Sequence, residues 1–249
     1  MRISVINLER SVERRQQMHA QLTALGLAHE FFAAIDAARG QLEGVSRYDE
    51  ARALRVLGHA LTPAEVGCFA SHYLLWQRCA ELGEPLVVME DDVLLDADLA
   101  SVLLLVARRL EACGLIRLAG LADRYADEIA DLGGGRKLAR YRKGPRGTQC
   151  YALHPKAAHA LLRRADTWID AVDLYLDAFW LHGVPSYAVL PHPVRHLPEA
   201  EAASLIGAGR WGRRRSGVEK LRRELTHMLW SLKRYWFNLR YRAPQFSGP

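Results

Sequence analysis

Three consecutive carboxylates, Glu90, Asp91 and Asp92, directly follow an apolar run at residues 86–89. Four apolar residues in a row are typical of a strand buried on both faces of a parallel sheet. Ligands of open α/β sheets bind beyond the carboxyl ends of such strands. Adjacent carboxylates repel one another unless a cation lies among them, and hard oxygen ligands suit Mg²⁺ or Mn²⁺. The pattern therefore predicts a divalent-metal site, with a solvated acidic turn as the alternative.

Arginines and a further carboxylate follow two other apolar runs. Arg10 and Arg14 come after the run at residues 3–6, and a loop with a helix N-terminus after a strand is a favoured place for phosphate. Asp36 follows the run at 30–35, where it can accept a hydrogen bond from a ribose or a base. The alternatives are a solvated basic helix face for the arginines and a turn cap for Asp36.

Several histidines are weaker candidates. His72 lies beside Ser71 on a helix with aromatic neighbours, a setting that usually indicates a core histidine. A hydrolase triad is not indicated, because no Gly-x-Ser-x-Gly elbow occurs. His192 and His196 lie in a proline-rich loop after the last predicted strand, and either is a possible metal ligand.

A carboxylate stripe occupies the predicted helix at 169–182. Asp170, Asp173 and Asp177 share one face at i, i+3 and i+7 spacing. Such a stripe is usually the solvated face. Placed over a pocket, one member can instead act as a general base.

The elements that must position these residues alternate between strands and helices. Strands are predicted at 3–6, 30–35, 86–89, 115–119, 151–153 and 187–190, and helices at 12–25, 63–82, 98–113, 155–165 and 169–182. Thr62 and Glu65 form a capping box around Pro63. Residues 36–61 are predicted as a loop with one short helix, and 133–147 as a polar loop. The alternation favours an α/β fold with a mostly parallel central sheet.

Charge divides the chain of 249 residues into two parts. Residues 207–249 hold eleven Lys and Arg against two Asp and Glu, whereas 1–206 hold 23 against 26. The net charge of +6 therefore belongs to the tail. The four cysteines form no Cys-x-x-Cys pair, which argues against zinc-ribbon and thioredoxin-type folds. The longest uncharged apolar stretch, at 99–107, is too short for a membrane span, and no signal peptide is expected.

The basic tail has the pattern of an amphipathic helix. Its apolar residues recur every three or four positions, at Leu221, Leu225, Met228, Leu232, Trp236 and Leu239. Basic residues combined with Trp and Leu suggest a helix that lies on an anionic membrane. The alternative is a helix packed against the body. No nucleic-acid motif accompanies the basic residues, so no nucleic-acid partner is expected.

Separate motifs, kept in order over residues 3–206, resemble one protein family. The chain is similar to glycosyltransferase family 25, the bacterial lipopolysaccharide and lipooligosaccharide glycosyltransferases that are related to collagen galactosyltransferases. The matching pieces are VINLERS with ERR at 5–15, FAAID at 32–36, LTPAEVGCFASH at 61–72 with Trp76, VVMEDDV at 87–93, GTQCY with PKA at 147–157, and DLYL at 173–176.

The resemblance implies a GT-A-like, Rossmann-like nucleotide-sugar-binding fold over 1–206, followed by a basic amphipathic helical tail at 207–249. It also implies inverting, metal-dependent transfer of a sugar, with galactose the first choice, from a UDP-sugar to a lipopolysaccharide, lipooligosaccharide or other glycan acceptor. An enzyme of this kind would be cytoplasmic and peripheral on the inner face of the membrane.

Residue by residue, the resemblance implies three sets. The catalytic residues are Asp173, as the base, with Asp91 and Asp92. Mn²⁺ or Mg²⁺ would be held by Asp92 and Glu90, with His196 standing where the family often has glutamine in a Pro-x-x-x-Gln loop. The donor-binding residues are Asn7, Leu8, Arg10, Arg14, Ala34, Asp36, Ser71, His72, Glu90, Gly147 and Thr148.

Two other classes of function use the same features. One is a metal-dependent nucleotidyl- or phosphoryl-transfer enzyme, which would release pyrophosphate or phosphate instead of sugar and UDP. The other is a non-enzymatic protein whose basic tail binds membrane or nucleic acid and whose acidic motif is only a turn. That protein would show no metal-dependent UDP binding.

Overall fold

The computed structural model describes residues 1–197 and 217–246. Its strands are β1 (Arg2–Asn7), β2 (Glu30–Ala33), β3 (Leu86–Glu90), β4 (Val93–Leu95), β5 (Leu115–Arg117), β6 (Ala126–Gly133), β7 (Arg136–Tyr141), β8 (Cys150–Leu153), β9 (Tyr187–Leu190) and β10 (Val194–His196). Its helices are α1 (Val12–Ala24), α2 (Glu50–Leu57), α3 (Pro63–Leu82), α4 (Leu99–Cys113), α5 (Pro155–Leu162), α6 (Val172–Asp177), α7 (Phe179–His182) and α8 (Gly217–Arg240).

Eight strands form one sheet in the order β2-β1-β3-β8-β5-β9-β7-β6. The strands β2, β1 and β3 are mutually parallel, as the sequence predicts, so their carboxyl ends meet at one edge. The strand β8 then pairs antiparallel with both β3 and β5, and the hairpin β6-β7 joins β9 antiparallel. The predicted α/β, Rossmann-like class is confirmed, and the sheet combines a parallel half with a mixed half.

Apolar layers cover both faces of the sheet. On β3, Leu86 and Val88 pack with α3 and α5, whereas Val87 and Met89 pack with α1 and α4. This alternation explains why the strand is apolar throughout. The helix α3 begins as predicted, since the Thr62 hydroxyl accepts from the backbone N–H of Glu65 and the Glu65 carboxylate accepts from the N–H of Thr62.

Three local predictions meet different outcomes. Residues 36–61 contain one short helix, α2, as predicted, with a 3₁₀ turn at Ala37–Arg39. The polar loop predicted at 133–147 is right for 142–147 and wrong for 133–141, because residues 126–141 form the hairpin β6-β7. Its three glycines at 133–135 all have positive φ and form the turn, and the Leu138 side of β7 is buried against β9.

The predicted helix at 169–182 is also wrong in extent. The chain leaves helical geometry at Ala178 and divides into α6 and α7. Asp170 therefore lies outside the helix, and only Asp173 and Asp177 belong to it. The predicted three-carboxylate stripe does not form.

The tail contains the predicted amphipathic helix as α8. Its last turns pack on the body, where Phe237 contacts Phe179 at 5.1 Å between ring centroids and Asn238 donates to the Arg142 carbonyl at 2.9 Å. Its predicted apolar face stays exposed, with Leu225 at 47% and Leu239 at 55%. The predicted boundary at 206/207 and residues 211–216 of the tail lie outside the described residues. Among the helices that are described, none has the length and apolar character needed to cross a membrane.

Candidate functional site

A cavity of about 260 Å³ opens at the carboxyl edge of the parallel strands β1, β2 and β3. It is bounded by the loop after β1, the segment after β2, the first half of α3 and the acidic motif that ends β3. Its lining includes ten of the predicted site residues, Leu8, Arg10, Arg14, Ala34, Asp36, Ser71, His72, Glu90, Asp91 and Asp92. The topology therefore gathers residues that are up to 84 positions apart in the chain.

Glu90 is committed to protein partners. The hydroxyl of Thr148 donates to Glu90 Oε1 at 2.5 Å, and His72 Nε2 lies 3.5 Å from the same oxygen. Burial opposes ionisation of Glu90, but these two side chains outweigh it and lower its pKa. Glu90 is thus ionised and connects His72 on α3 with Thr148 in the segment at 147–149.

Asp91 is also occupied. It accepts from Asn7 Nδ2 at 2.6 Å and lies 3.4 Å from Arg14 Nη1. Burial raises its pKa, although Asn7 and Arg14 act in the opposite direction. Asn7 lies behind this carboxylate and is absent from the cavity lining, so it supports Asp91 instead of facing the cavity.

Asp92 has a free oxygen. Within the described residues its buried Oδ1 has no hydrogen-bond partner, and Oδ2 lies 3.6 Å from His196 Nε2 and 3.9 Å from Arg14 Nη1. Burial and the charge of Glu90 raise the pKa of Asp92 to about 6. The antiparallel pair β4-β10 brings His196 here by placing it opposite Val93.

A divalent cation fits this pair. A buried carboxylate oxygen without a partner, next to an imidazole nitrogen, offers the oxygen and nitrogen donors that Mn²⁺ accepts. Glu90, the other predicted metal ligand, offers less, because Thr148 and His72 already occupy it. A second group, Cys68, His72 and Glu90, has ligand atoms within 4.8 Å of one another. It suits a hard cation poorly, since burial raises the pKa of the Cys68 thiol and keeps it protonated.

A chain of buried hydrogen bonds orients His72. Trp76 Nε1–H donates to the hydroxyl of Tyr151 at 2.8 Å, and that hydroxyl lies 2.9 Å from His72 Nδ1. An indole N–H only donates. The Tyr151 hydroxyl is therefore free to donate to Nδ1, which leaves the His72 proton on Nε2, facing Glu90.

A loop at residues 144–148 lies next to the acidic motif, where Thr148 contacts Glu90. The buried guanidinium of Arg117 pairs with Asp177 at 2.8 Å and also donates to the Gly147 carbonyl. Asp177 accepts from the N–H of Arg146 at 2.9 Å, and burial raises its pKa to about 6 despite the charge of Arg117. Asp173 is free of such an ion pair within the described residues and approaches only the Gly147 N–H, at 3.4 Å.

Asp36 serves as a turn cap, the alternative considered for it. Its carboxylate accepts from the Ala38 N–H at 3.1 Å and pairs with Arg10. Ser71 accepts from the Ile35 N–H at 2.9 Å, which fastens α3 to the segment after β2. Arg10, in the loop after β1, thus pairs with Asp36, and Arg14, in the first turn of α1, lies at the acidic motif.

The sequence prediction missed the supporting residues. Arg117, Tyr151 and Trp76 carry the two networks that hold the loop and His72 in place. A signal existed for Arg117, because an arginine within the apolar run 115–119 must find a buried partner. His192, considered as a metal ligand, instead lies 3.2 Å from the Tyr141 hydroxyl, and burial lowers its pKa to about 4.

Comparison with known proteins identifies the family of the chain. The model of glycosyltransferase family 25, described as LPS biosynthesis proteins, matches residues 1–176. The chain therefore belongs to glycosyltransferase family 25, as the motifs predict.

Its relatives come from animals and bacteria. A glycosyltransferase 25 family member of Anopheles gambiae is 40% identical over 100 residues, which is 36% of this chain and 16% of that protein. The chain thus matches only about a sixth of the length of such curated relatives. The lacto-N-neotetraose biosynthesis glycosyltransferase LgtE of Neisseria meningitidis is 28% identical over 77% of this chain and 72% of its own length.

A solved structure resembles the fold more distantly. It is a Drosophila β1,4-galactosyltransferase 7 variant with manganese, UDP-Gal and xylobiose, 11% identical with a TM-score of 0.39. The alignment covers 89% of this chain and 79% of that chain. A likeness of that size says nothing about what this chain binds.

Proposed function

We propose that this chain transfers a hexose, with galactose the first choice, from a UDP-sugar to a hydroxyl of lipooligosaccharide or a related glycan. The transfer is metal-dependent and inverts the anomeric carbon. The observation that carries the proposal is the unpartnered Oδ1 of Asp92, buried beside His196 at the edge of a cavity that also holds Arg14. Membership of the family supports the reaction class.

Different residues bind the metal, the phosphates and the uridine of the donor. Asp92 and His196 would hold the divalent cation, which when bound neutralises charge on the departing diphosphate. Arg14 lies at the same carboxylates and can donate charge-assisted hydrogen bonds to phosphate oxygens. The cavity between the segment after β2 and α3 then takes the uridine, with Asp36 near its ribose.

The chemical step is a single displacement. The acceptor oxygen bonds to the anomeric carbon while the bond from that carbon to the diphosphate oxygen breaks. The acceptor proton passes to Asp173, since Asp177 on the same helix is already committed to Arg117. The loop at 144–148 lies between this base and Glu90. This loop positions the transferred sugar.

A donor panel tests the proposal directly. We would measure UDP release from UDP-sugars in Mn²⁺ and in EDTA for the wild type, Asp92→Asn and the control Asp166→Asn, which changes an exposed aspartate elsewhere. We expect slow hydrolysis of one donor that requires both Mn²⁺ and Asp92 and is unchanged in the control. Equal rates for Asp92→Asn would exclude the assigned metal site, and release of pyrophosphate would favour nucleotidyl transfer.

The tail supports a second part of the proposal, attachment to the cytoplasmic face of an anionic membrane. Five apolar residues spaced along α8 are about half exposed, Leu221, Leu225, Met228, Leu232 and Leu239. Basic residues flank them at positions 222, 223, 233, 240 and 242. An anionic lipid surface matches both features, because apolar side chains can enter the headgroup region while lysines and arginines contact the phosphates.

A further inference from the structure

Four cationic residues, Arg124, Lys143, Arg146 and Arg234, come from three segments that meet, namely 121–124, 142–146 and α8. The N–H of Ala122 donates to the Pro145 carbonyl at 2.7 Å, so the segments that carry the first three run side by side. We call these four residues the basic cluster.

The fourth member comes from the tail helix. Asn238 donates to the carbonyl of Arg142, the residue before Lys143, at 2.9 Å. Arg234 lies one helical turn before Asn238, and its guanidinium packs 5.8 Å from the ring centre of Trp180. Burial, together with the charges of Arg124, Arg234 and Arg146, lowers the pKa of Lys143, so the four act on one another.

The basic cluster forms no direct ion pair among the described residues. Asp177 acts on Lys143 and Arg146 from a greater distance, while its carboxylate pairs with Arg117. In residues 1–197 and 217–246, no carboxylate lies within 4 Å of any of its four charged groups. Neighbouring arginines differ, since Arg142 pairs with Asp127 at 2.7 Å and Arg117 with Asp177. Arg124 even has a buried Nε without a hydrogen-bond partner in that part of the chain. Cations held together in this way favour an anion.

The position of the basic cluster indicates which ligand carries the anion that it binds. The donor cavity is lined by residues 6–92 and contains none of the four. Arg146 directly precedes Gly147, whose N–H faces Asp173, the proposed base. Arg146 is exposed although glycines 144 and 147 around it are buried, and its φ of 59° is held by the bond from its N–H to Asp177. The basic cluster therefore lies next to Asp173 and outside the donor cavity.

We propose that the acceptor glycan carries a phosphate group near the accepting hydroxyl, and that the basic cluster binds this group. The inference rests on the proposed function and narrows its acceptor to phosphorylated glycans. It also gives α8 a part in acceptor binding, because Arg234 reaches the basic cluster only while the tail helix stays docked through Asn238.

Calorimetry with a matched pair of probes tests this. The probes are a deacylated, phosphorylated lipooligosaccharide and the same preparation after removal of phosphate with hydrofluoric acid. We expect the full-length protein to bind the phosphorylated form about ten-fold more tightly or better. Arg124→Ala/Lys143→Ala and, separately, Arg234→Ala should lose most of that preference. The control Lys156→Ala, an exposed lysine at the opposite edge of the sheet, should retain it.

The outcomes separate the two proposals. Equal wild-type affinity for both probes, or a preference unchanged in both cluster variants, overturns the inference. The inference is also overturned if the cluster variants lose binding to phosphatidylglycerol vesicles but keep the preference for the phosphorylated probe, since the anion would then be a lipid headgroup. Unfolding midpoints of the variants show whether they fold. UDP titration with Mn²⁺ on the same wild-type sample tests the donor site by itself, so a missing UDP response with retained phosphate preference contradicts only the proposed function.

Discussion

At the scale of residues, Asp92 has surroundings that favour its protonated form more than water does. Burial and Glu90 raise its pKa to about 6 from an ordinary value of 3.8. The folded chain therefore holds this proton to a higher pH than the unfolded chain, and the stability that the proton contributes at low pH is lost as the pH rises through about 6. The environment of Asp92 therefore lowers the stability of the fold above about pH 6.

Asp92→Asn should remove this cost. Relative to the wild type, the variant should gain stability as the pH rises from about 4 to about 6, by up to about 3 kcal/mol. Urea unfolding in EDTA at several pH values measures the difference. A constant difference across that range would contradict the assigned environment of Asp92.

The hydroxyl of Tyr151 is predicted to act through His72. In Tyr151→Phe, the buried Trp76 N–H and His72 Nδ1 both lose their partner, which should cost about 2 kcal/mol or more. Donor hydrolysis should also fall, because the tautomer of His72 is no longer held. The matched control is Tyr175→Phe, whose buried hydroxyl donates to the Leu161 carbonyl remote from the cavity. Equal donor hydrolysis in the two variants would reduce Tyr151 to a packing role.

At the scale of elements, the loop at 144–148 depends on close approach to α6. A Cβ at Gly144 would overlap the carboxylate of Asp177, which also holds Arg146 and Arg117. We expect Gly144→Ala to displace the loop and to reduce donor hydrolysis about ten-fold or more.

The control for this prediction is Gly134→Ala in the turn of the hairpin β6-β7. That position has a φ of +60° and no atom within 4 Å of an added Cβ, so the change should cost stability alone. Hydrolysis rates and urea midpoints of both variants separate an effect on the loop from an effect on stability alone. Unimpaired hydrolysis by Gly144→Ala would show that the contact with α6 does not set the loop.

At the scale of the whole molecule, α8 has two separable surfaces. One is docked through Phe237 and Asn238, and the other exposes apolar side chains. Leu225→Asp/Leu232→Asp should abolish sedimentation with phosphatidylglycerol vesicles and leave the docked surface intact. Leu104→Asp changes a leucine on α4 that is 69% exposed, and it should sediment like the wild type. Equal sedimentation of all three proteins would reject membrane attachment through this face.

The sequence by itself determined the features that depend on nearest neighbours. Apolar runs, the capping box of Thr62 and Glu65, and helical spacing set most elements and the carboxyl-edge position of the acidic motif. The carboxyl ends of the parallel strands meet at the cavity, which accounts for Arg10, Asp36 and the acidic motif there. Ser71 and His72, on α3, were predicted from the family motifs. The hairpin β6-β7 was not predicted, because the partner that buries β7 is β9, about 50 residues later in the chain.

Only the tertiary structure decided what each polar group does. Three adjacent carboxylates look equivalent in sequence, yet Glu90 is bound by Thr148, Asp91 by Asn7, and Asp92 keeps a free oxygen. The same holds for Asp173 and Asp177, which differ because Arg117 reaches only one of them. The physical reason is that charge state and availability follow from partners and burial, and these partners lie 58 to 84 positions away along the chain.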